Sequence, residues 1–429
     1  MNKNKIWTKG HVIKEFKVFP DDRGGDFLEL GPQLSYVKYY EDILDPSIHV
    51  DISVLDAMGI INKLPVRSGS GVKIRYEHPS QEGEVELDLV ITNITGHTIN
   101  NKKEIYTLTC ERDGALSNHT TRVTKRYDNQ IHQSVEDILK IIDKKLFEFD
   151  KSTNECRFFG NYRRPFKCIA DLCRKSIPET VGIGSATTGS AGFLFYETLD
   201  GYNFRSIDKI FNQQAPHITP KEKSEDQYEV FTYEMTPFKP GLDPKNNFML
   251  ANDPKFRESH DIIKKLRLGS YSSNNWYFNV ITRDVQFNNF KYNQDVEKAN
   301  DEDVTPLKYK NPPSRIILGV IDTGTTSVSA GGTGTDAPQD QARLQAQSAA
   351  RYSSLFSQSL DITIPMNLSL RVGRLINLKF PNLNTDRSIA KNSPESGIYM
   401  IARLSHELGN PDGDFTGLAL VRDSFTIHE

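Results

Sequence analysis

A chain of 429 residues has room for roughly two or three domains. Hydrophobic residues at 37% and charged residues at 25% exclude a disordered chain. A net charge of −3 removes the case for a nucleic-acid-coating surface, and 10% aromatic residues, mostly Phe and Tyr, favour β structure.

The N-terminus carries Lys3, Lys5 and Lys9 with no apolar run behind them, so no secretion signal is expected. Residues 1–25 are polar and end in the turn-rich Pro20-Asp21-Asp22-Arg23-Gly24-Gly25; they read as an arm. From 26 to 115, strand-like runs at 33–40, 49–55, 72–76, 85–94 and 105–111 alternate with Gly, Pro and Asn clusters. That spacing predicts a small barrel or sandwich. Val85, Leu87 and Leu89 alternate with Glu84, Glu86 and Asp88, which gives this run one apolar face.

Residues 116–357 mix helical and strand signals and read as an insertion. Ser134 and Asp137 fit a capping box, with Ile138, Leu139, Ile142, Leu146 and Phe147 following at helical spacing. A second helix is predicted at 166–175, then a Gly/Ser/Thr/Ala loop at 182–192. A hairpin follows at 193–196 and 202–205, turning at Asp200-Gly201. Residues 212–229 are linker-like, 256–268 reads as helix, and 275–281 and 285–292 read as strands. The 324–338 segment is a flexible low-complexity loop. A helix at 340–358 carries Ala342, Ala346, Ala349 and Ala350, small enough for close packing. Residues 358–429 then hold strands at 361–370, 375–380, 398–404 and 416–422. They read as a second barrel that needs strands lent by the middle region.

The last hairpin repeats one near the start. Val90-Ile91-Thr92-Asn93-Ile94-Thr95 aligns with Met400-Ile401-Ala402-Arg403-Leu404-Ser405, and 107–113 aligns with 417–423, both at an offset of 310 without a gap. Polar loops of equal length, 96–104 and 406–414, lie between the matched parts. Such a repeat predicts two versions of one small β-domain, which suits an assembly part more than an enzyme. The fold class is therefore α+β, mainly β: two β-barrel domains with a mixed α/β insertion.

Motifs that carry chemistry are sparse. Ile321-Asp322-Thr323-Gly324-Thr325-Thr326 matches the active-site loop of aspartic proteases. That chemistry needs two carboxylates sharing a proton, and no second such loop exists in the chain. Only a homodimer could supply it, although Arg371-Val372-Gly373-Arg374 mimics the later hydrophobic-Gly-Arg element of retroviral proteases. Because Asp322 runs straight into low-complexity sequence, a turn is the preferred reading. His406-Glu407 lacks the second His of a zinc motif, since Asn410 stands there. Gly182-Ile183-Gly184 is not followed by Gly-Lys-Ser/Thr, and Asp412-Gly413-Asp414 fits a hairpin turn better than a calcium loop. Asn93-Ile94-Thr95 and Asn118-His119-Thr120 fit the glycosylation pattern, which means nothing without a secretion signal. Lys264-Lys265-Leu266-Arg267 reads as the solvated end of a helix. Cys110, Cys156, Cys168 and Cys173 have no metal-binding spacing and are expected as free thiols in a reducing cytoplasm. No catalytic, metal or cofactor residue is assigned, no cofactor is expected, and the longest apolar stretch, 316–321, is too short to span a bilayer.

The order of elements near the C-terminus resembles a known family. The helix 340–358 leads to 361–370, then to Val372-Gly373-Arg374-Leu375-Ile376-Asn377-Leu378, Ile398-Tyr399, Leu404-Ser405-His406-Glu407-Leu408 and Leu418-Ala419-Leu420. This is similar to the closing segment of baseplate hub proteins of contractile-tailed, T-even-like bacteriophages. It is also similar to the hub part of type VI secretion spike proteins. Gly373 matches the family's turn glycine and His406 its hairpin histidine; Val372 stands where the family often has Pro. The hairpin 193–208 also fits.

The resemblance implies two tail-tube-like barrels, 26–115 and 358–429, in each chain of a homotrimer. Such a ring has pseudo-sixfold symmetry and joins the hexameric tail tube to a trimeric central spike. It contacts other baseplate and tape-measure proteins, and phage DNA passes through its channel without specific binding. It implies a non-enzymatic virion protein, assembled in the host cytoplasm. A secretion-type injection machine, or a homodimeric protease using Asp322, is the alternative.

Overall fold

The computed structural model describes residues 10–20, 27–57, 59, 66–78, 83–100, 103–179, 189–212, 230–235, 250–259, 261–280, 283–292, 307–321, 326–327, 338–380, 395–409 and 413–422. The fold is mainly β, and most strands join one 13-stranded sheet.

The first unit holds β1 (Val12–Phe19), β2 (Leu34–Asp42), β3 (His49–Asp56), β4 (Gly71–Glu77), β5 (Glu84–Asn100) and β6 (Lys103–Glu111). Alternate side chains point inward, as a strand's two-residue period requires. Val50 and Ile52 of β3, Ile74 of β4, Leu87 and Leu89 of β5 and Leu108 of β6 are completely buried. Each contributes about 1.5–3 kcal/mol relative to exposure. The sequence reading of 1–25 as an arm fails for Val12–Phe19. These residues pair antiparallel with β4, from Val12 opposite Glu77 to Phe19 opposite Gly71. Phe16 and Val18 bury their side chains in the core, while Lys14 and Lys17 pair with Glu77 and Glu15 and give the segment its polar look. The expected loop 96–104 is also largely strand, because β5 and β6 continue to Asn100 opposite Lys103.

The middle of the chain contributes α1 (Asp113–Thr120), α2 (Ile131–Lys140), β7 (Leu146–Phe149), α3 (Pro165–Cys173), β8 (Phe193–Thr198), β9 (Gly201–Ser206) and α4 (Ile207–Asn212). Val135, Ile138, Leu139, Ile169, Phe193 and Phe204 form a separate core there. Ser134 does not cap its helix: α2 begins after Gln130, and Ser134 is buried in its second turn. The helical spacing also ends early. Asp143 takes φ 54, and Leu146 and Phe147 fall in β7, which pairs parallel with β9.

Next come β10 (Thr232–Met235), β11 (Leu250–Ser259) and α5 (Ile262–Leu268). The predicted helix 256–268 is thus half strand. Asp261 caps α5 by accepting from Lys264 N–H at 3.0 Å, and this fixes its start after Phe256. A small sheet follows, β12 (Ser272–Asn279), β13 (Val285–Lys291) and β14 (Arg315–Ile321), and then α6 (Pro338–Leu355). The chain closes with β15 (Gln358–Pro365), β16 (Leu375–Lys379), β17 (Gly397–Leu408) and β18 (Phe415–Arg422). Strand pairing runs β17–β16–β10–β11–β15–β18 and returns to β17, so these strands form a closed cycle. Two strands of this cycle, β10 and β11, come from the middle of the chain.

The repeat survives in the hydrogen-bond register. On β5 and β6, Val90 lies opposite Glu111, Ile91 opposite Cys110, Asn93 opposite Thr109, Ile94 opposite Leu108 and Thr95 opposite Thr107. On β17 and β18, Met400 lies opposite Val421, Ile401 opposite Leu420, Arg403 opposite Ala419, Leu404 opposite Leu418 and Ser405 opposite Gly417. Each pair maps onto its counterpart at the 310 offset, and both ladders skip one residue at the same place, Thr92 and Ala402. A bulge shared at one position is a designed feature, not a defect. The offset extends to a third strand. His49 opposite Glu111 and Ile52 opposite Leu108 match Ser359 opposite Val421 and Ile362 opposite Leu418.

Both copies use the same entry turn. The N–H of Gly69 donates to Ile91 O at 2.8 Å, and that of Gly373 donates to Ile401 O at 2.9 Å. The two glycines take φ 99 and φ 76, the left-handed region that favours glycine. A Cβ at Gly69 would meet nothing within 4 Å, whereas one at Gly373 would lie 2.0 Å from Tyr196 Oη. Gly69→Ala is therefore expected to cost about 1 kcal/mol from backbone strain alone, and Gly373→Ala about 3 kcal/mol or more. Urea denaturation of the two variants checks this order, and equal losses would contradict it.

Candidate assembly surfaces

The two units meet inside the chain along one strand pair. The second half of β17 runs past β16 and pairs antiparallel with β2, from Arg403 opposite Asp42 to Leu408 opposite Val37. Arg403 Nε lies 2.8 Å from Asp42 Oδ2, and Lys38 Nζ lies 2.9 Å from Glu407 Oε1. Tyr36 Oη donates to Glu407 Oε2 at 2.5 Å, and Tyr39 stacks on His406 with ring centroids 5.8 Å apart.

Glu41 anchors this junction. It is buried, and its carboxylate accepts from Tyr39 Oη at 2.6 Å, from Leu199 N–H at 2.9 Å and from Val372 N–H at 2.9 Å. Burial pushes its pKa up, and the charge of Arg371 with these donors works against that rise. Arg371 in turn binds Asp200 through Nε at 3.1 Å and donates to Leu368 O and Leu370 O at 2.6 and 2.8 Å. The tip of the β8–β9 hairpin therefore touches both units. Glu197 on the same hairpin accepts from Ile48 N–H at 3.2 Å and from Arg112 at 3.3 Å. The sequence identified this hairpin and its turn, but no local pattern marked Glu41 or Arg371 as its partners.

A second surface is apolar and uncovered among the described residues. In the β12–β13–β14 sheet, Trp276 lies between Phe287 and Leu318, and Phe278 lies between Val285 and Val320. These side chains are exposed, Leu318 by 78%. The opposite face is covered: Tyr277 and Phe290 are buried, and Tyr277 Oη donates to Gln345 of α6 at 3.2 Å. Contiguous apolar faces of this kind mark interaction sites on folded proteins. The sequence drew attention only to 316–321 as an apolar run. The face appears once three strands put alternate residues together.

The remaining motif residues find mostly structural settings. Asp322 and the loop 324–338, apart from 326–327 and Pro338, lie outside the described residues. Arg371 and Gly373, the protease-like later element, are occupied by the junction and the turn. His406 is buried, lies 2.9 Å through Nδ1 from Thr416 Oγ1, and is held by burial at a pKa of about 3. Asp414 is a clasp: it accepts from His11 N–H at 2.8 Å and from Gly409 N–H at 2.9 Å. Burial acts to raise its pKa, but the hydrogen bonds from His11 and Gly409 prevail and hold it at about 2. All four cysteines are buried and free. Among the described residues no group of three or more His, Cys, Asp or Glu is placed to hold a metal ion, and no helix is long and apolar enough to cross a membrane.

No protein-family model matches the chain, and no curated protein does either. Solved structures do. A tail protein from Neisseria meningitidis MC58 is similar with a TM-score of 0.54 at 10% identity, covering 97% of this chain and 97% of that one. The 43 kDa tail protein of prophage MuSo2 from Shewanella oneidensis is similar with a TM-score of 0.51 at 9% identity, covering 96% and 98%. The resemblance to tail proteins read from the order of elements thus holds at the level of fold: along nearly its whole length, this chain has the fold of these bacterial and prophage tail proteins.

Proposed function

We propose that the chain is the structural baseplate hub of a contractile phage tail. In this reading three chains form a ring in which two barrel-like units per chain, built around β2–β6 and around β10, β11 and β15–β18, give six similar positions. The ring joins the hexameric tail tube to the trimeric central spike. Other baseplate and tape-measure proteins contact it, and DNA passes through its channel without specific recognition. The chain works as a non-enzymatic part of the virion, assembled in the host cytoplasm.

The observation that carries this reading is the shared register. Two units of one chain keep the same strand pairs and the same bulge at one offset, and three such chains present six near-equivalent units to a six-fold neighbour. The exposed face around Trp276 and Leu318 supports it, since a chain working alone gains nothing from such a face. Gold-labelled antibody against the chain is expected to decorate the tip of the tail in electron micrographs. Decoration along the tail shaft, or none on assembled tails, would overturn the reading.

A further inference from the structure

The in-chain junction has a counterpart that this chain leaves unmade. At the junction, β2 of the first unit pairs with 403–408 of the second. The 310 offset makes 93–98 of β5 the equivalent of 403–408. The equivalent of β2 is β11, because β2 flanks β3 as β11 flanks β15. Both equivalents have an open edge among the described residues. Beyond Ile91, β5 has only β6 beside it, since β4 pairs with it no further than Val90. Beyond Ala251, β11 has only β15 beside it, since β10 pairs with it at Leu250 and Ala251 alone.

We propose that these two edges pair with each other between copies of the chain, β11 of one copy lying antiparallel to the 93–96 stretch of β5 in the next. The register follows from the junction. Ser405 lies opposite Tyr40 there, and Tyr40 flanks His49. Ser405 corresponds to Thr95; Glu258 flanks Ser359, the counterpart of His49. Thr95 of one copy therefore faces Glu258 of another. By the same steps Tyr39, which faces His406, becomes Phe256, which faces Gly96.

The exposures agree with a missing neighbour. Tyr39 is 2% exposed beneath the junction, while Phe256 is 47% exposed. Leu404 is buried, while its counterpart Ile94 is only partly so. An aromatic ring on one edge strand covers a glycine on the other well, because glycine leaves its own strand surface bare. The edges are not identical to the template. β5 bulges between Thr95 and Thr98, where Gly96 takes φ 63, so the strand bends away and the ladder stops there. A bulge of this kind also discourages pairing with arbitrary strands.

The contact is heterologous: one patch meets a different patch, so it builds rings and not twofold dimers. It rests on the trimeric-ring reading and adds the pair of strands and their register. The test is cysteine cross-linking of the full chain, carrying Thr95→Cys and Glu258→Cys together. The four native cysteines are buried and leave the background low. Mild oxidation is expected to give a covalent ladder ending at three chains. Each single variant alone is expected to give none, and a mixture of the two to give cross-linked pairs. A trimer by light scattering that does not cross-link would overturn the register and leave the ring reading standing. Absence of any trimer would remove both. Cross-linking of Thr95→Cys with itself would point to a twofold contact and overturn the proposal. A second variant, Phe256→Glu, changes an exposed residue; it is expected to weaken self-association at least tenfold with unchanged circular dichroism, and association at the wild-type level would count against the contact.

Discussion

Replacing Glu41 with alanine is expected to destabilise the fold by about 3–5 kcal/mol, the usual loss when one partner is removed from a buried, hydrogen-bonded charge network. The carboxylate serves three donors from three parts of the chain, Tyr39 Oη, Leu199 N–H and Val372 N–H. Alanine leaves all three without this acceptor, the Tyr39 hydroxyl and the Val372 N–H in buried surroundings, and leaves Arg371 with Asp200 as its remaining carboxylate. Glu41→Gln keeps the shape and one carbonyl oxygen, so roughly half the loss is expected. Urea denaturation checks both variants. A loss under about 1 kcal/mol for the alanine variant would show that the junction is held by its strand pairing and not by this network.

The second large effect is acid sensitivity at His406. Burial foremost, with the positive charges of Arg371 and His78, lowers its pKa in the folded chain to about 3. In the unfolded chain it titrates near 6.5. Between these values the unfolded state binds a proton that the folded state does not, so stability falls as pH falls from about 6.5 to about 3. From pH 7.5 to 4.5 this residue alone is expected to remove about 2–3 kcal/mol. His78 and His132, whose pKa values burial also lowers, act in the same direction. Asp414 works at lower pH. Its folded pKa of about 2 lies below the unfolded value, so its contribution is present above about pH 4 and is lost as pH falls toward 2. His406→Gln removes the titration while keeping a side chain that can bond to Thr416. Its stability is expected to change less between pH 7.5 and 4.5 than that of the wild type, and an unchanged pH slope would contradict the assignment.

What was legible in the sequence depended on whether one segment decided it. The β17–β18 repeat was visible because both of its strands keep apolar residues at matching places. The third repeated strand was hidden, because Asp51-Ile52 and Asp361-Ile362 are its only identical neighbours and pairing, not composition, aligns them. β1 was missed because Lys14, Glu15 and Lys17 face its ion pairs and mask the buried Phe16 and Val18. Phe256 matched a helical spacing only by chance; the Asp261 cap sets the true boundary. Ser134 likewise had the composition of a cap but sits one turn inside the helix. The junction was illegible for a simpler reason. Glu41, Leu199 and Val372 lie far apart in the chain, and nothing near any of them announces the others.

If two units per chain serve a ring of three, the free chain is expected to assemble as a trimer. Light scattering of the purified full chain, over a range of concentrations, tests it most directly. A mass of three chains that persists on dilution is the predicted result. A chain that stays monomeric at high concentration, or that forms a stable dimer, would contradict it.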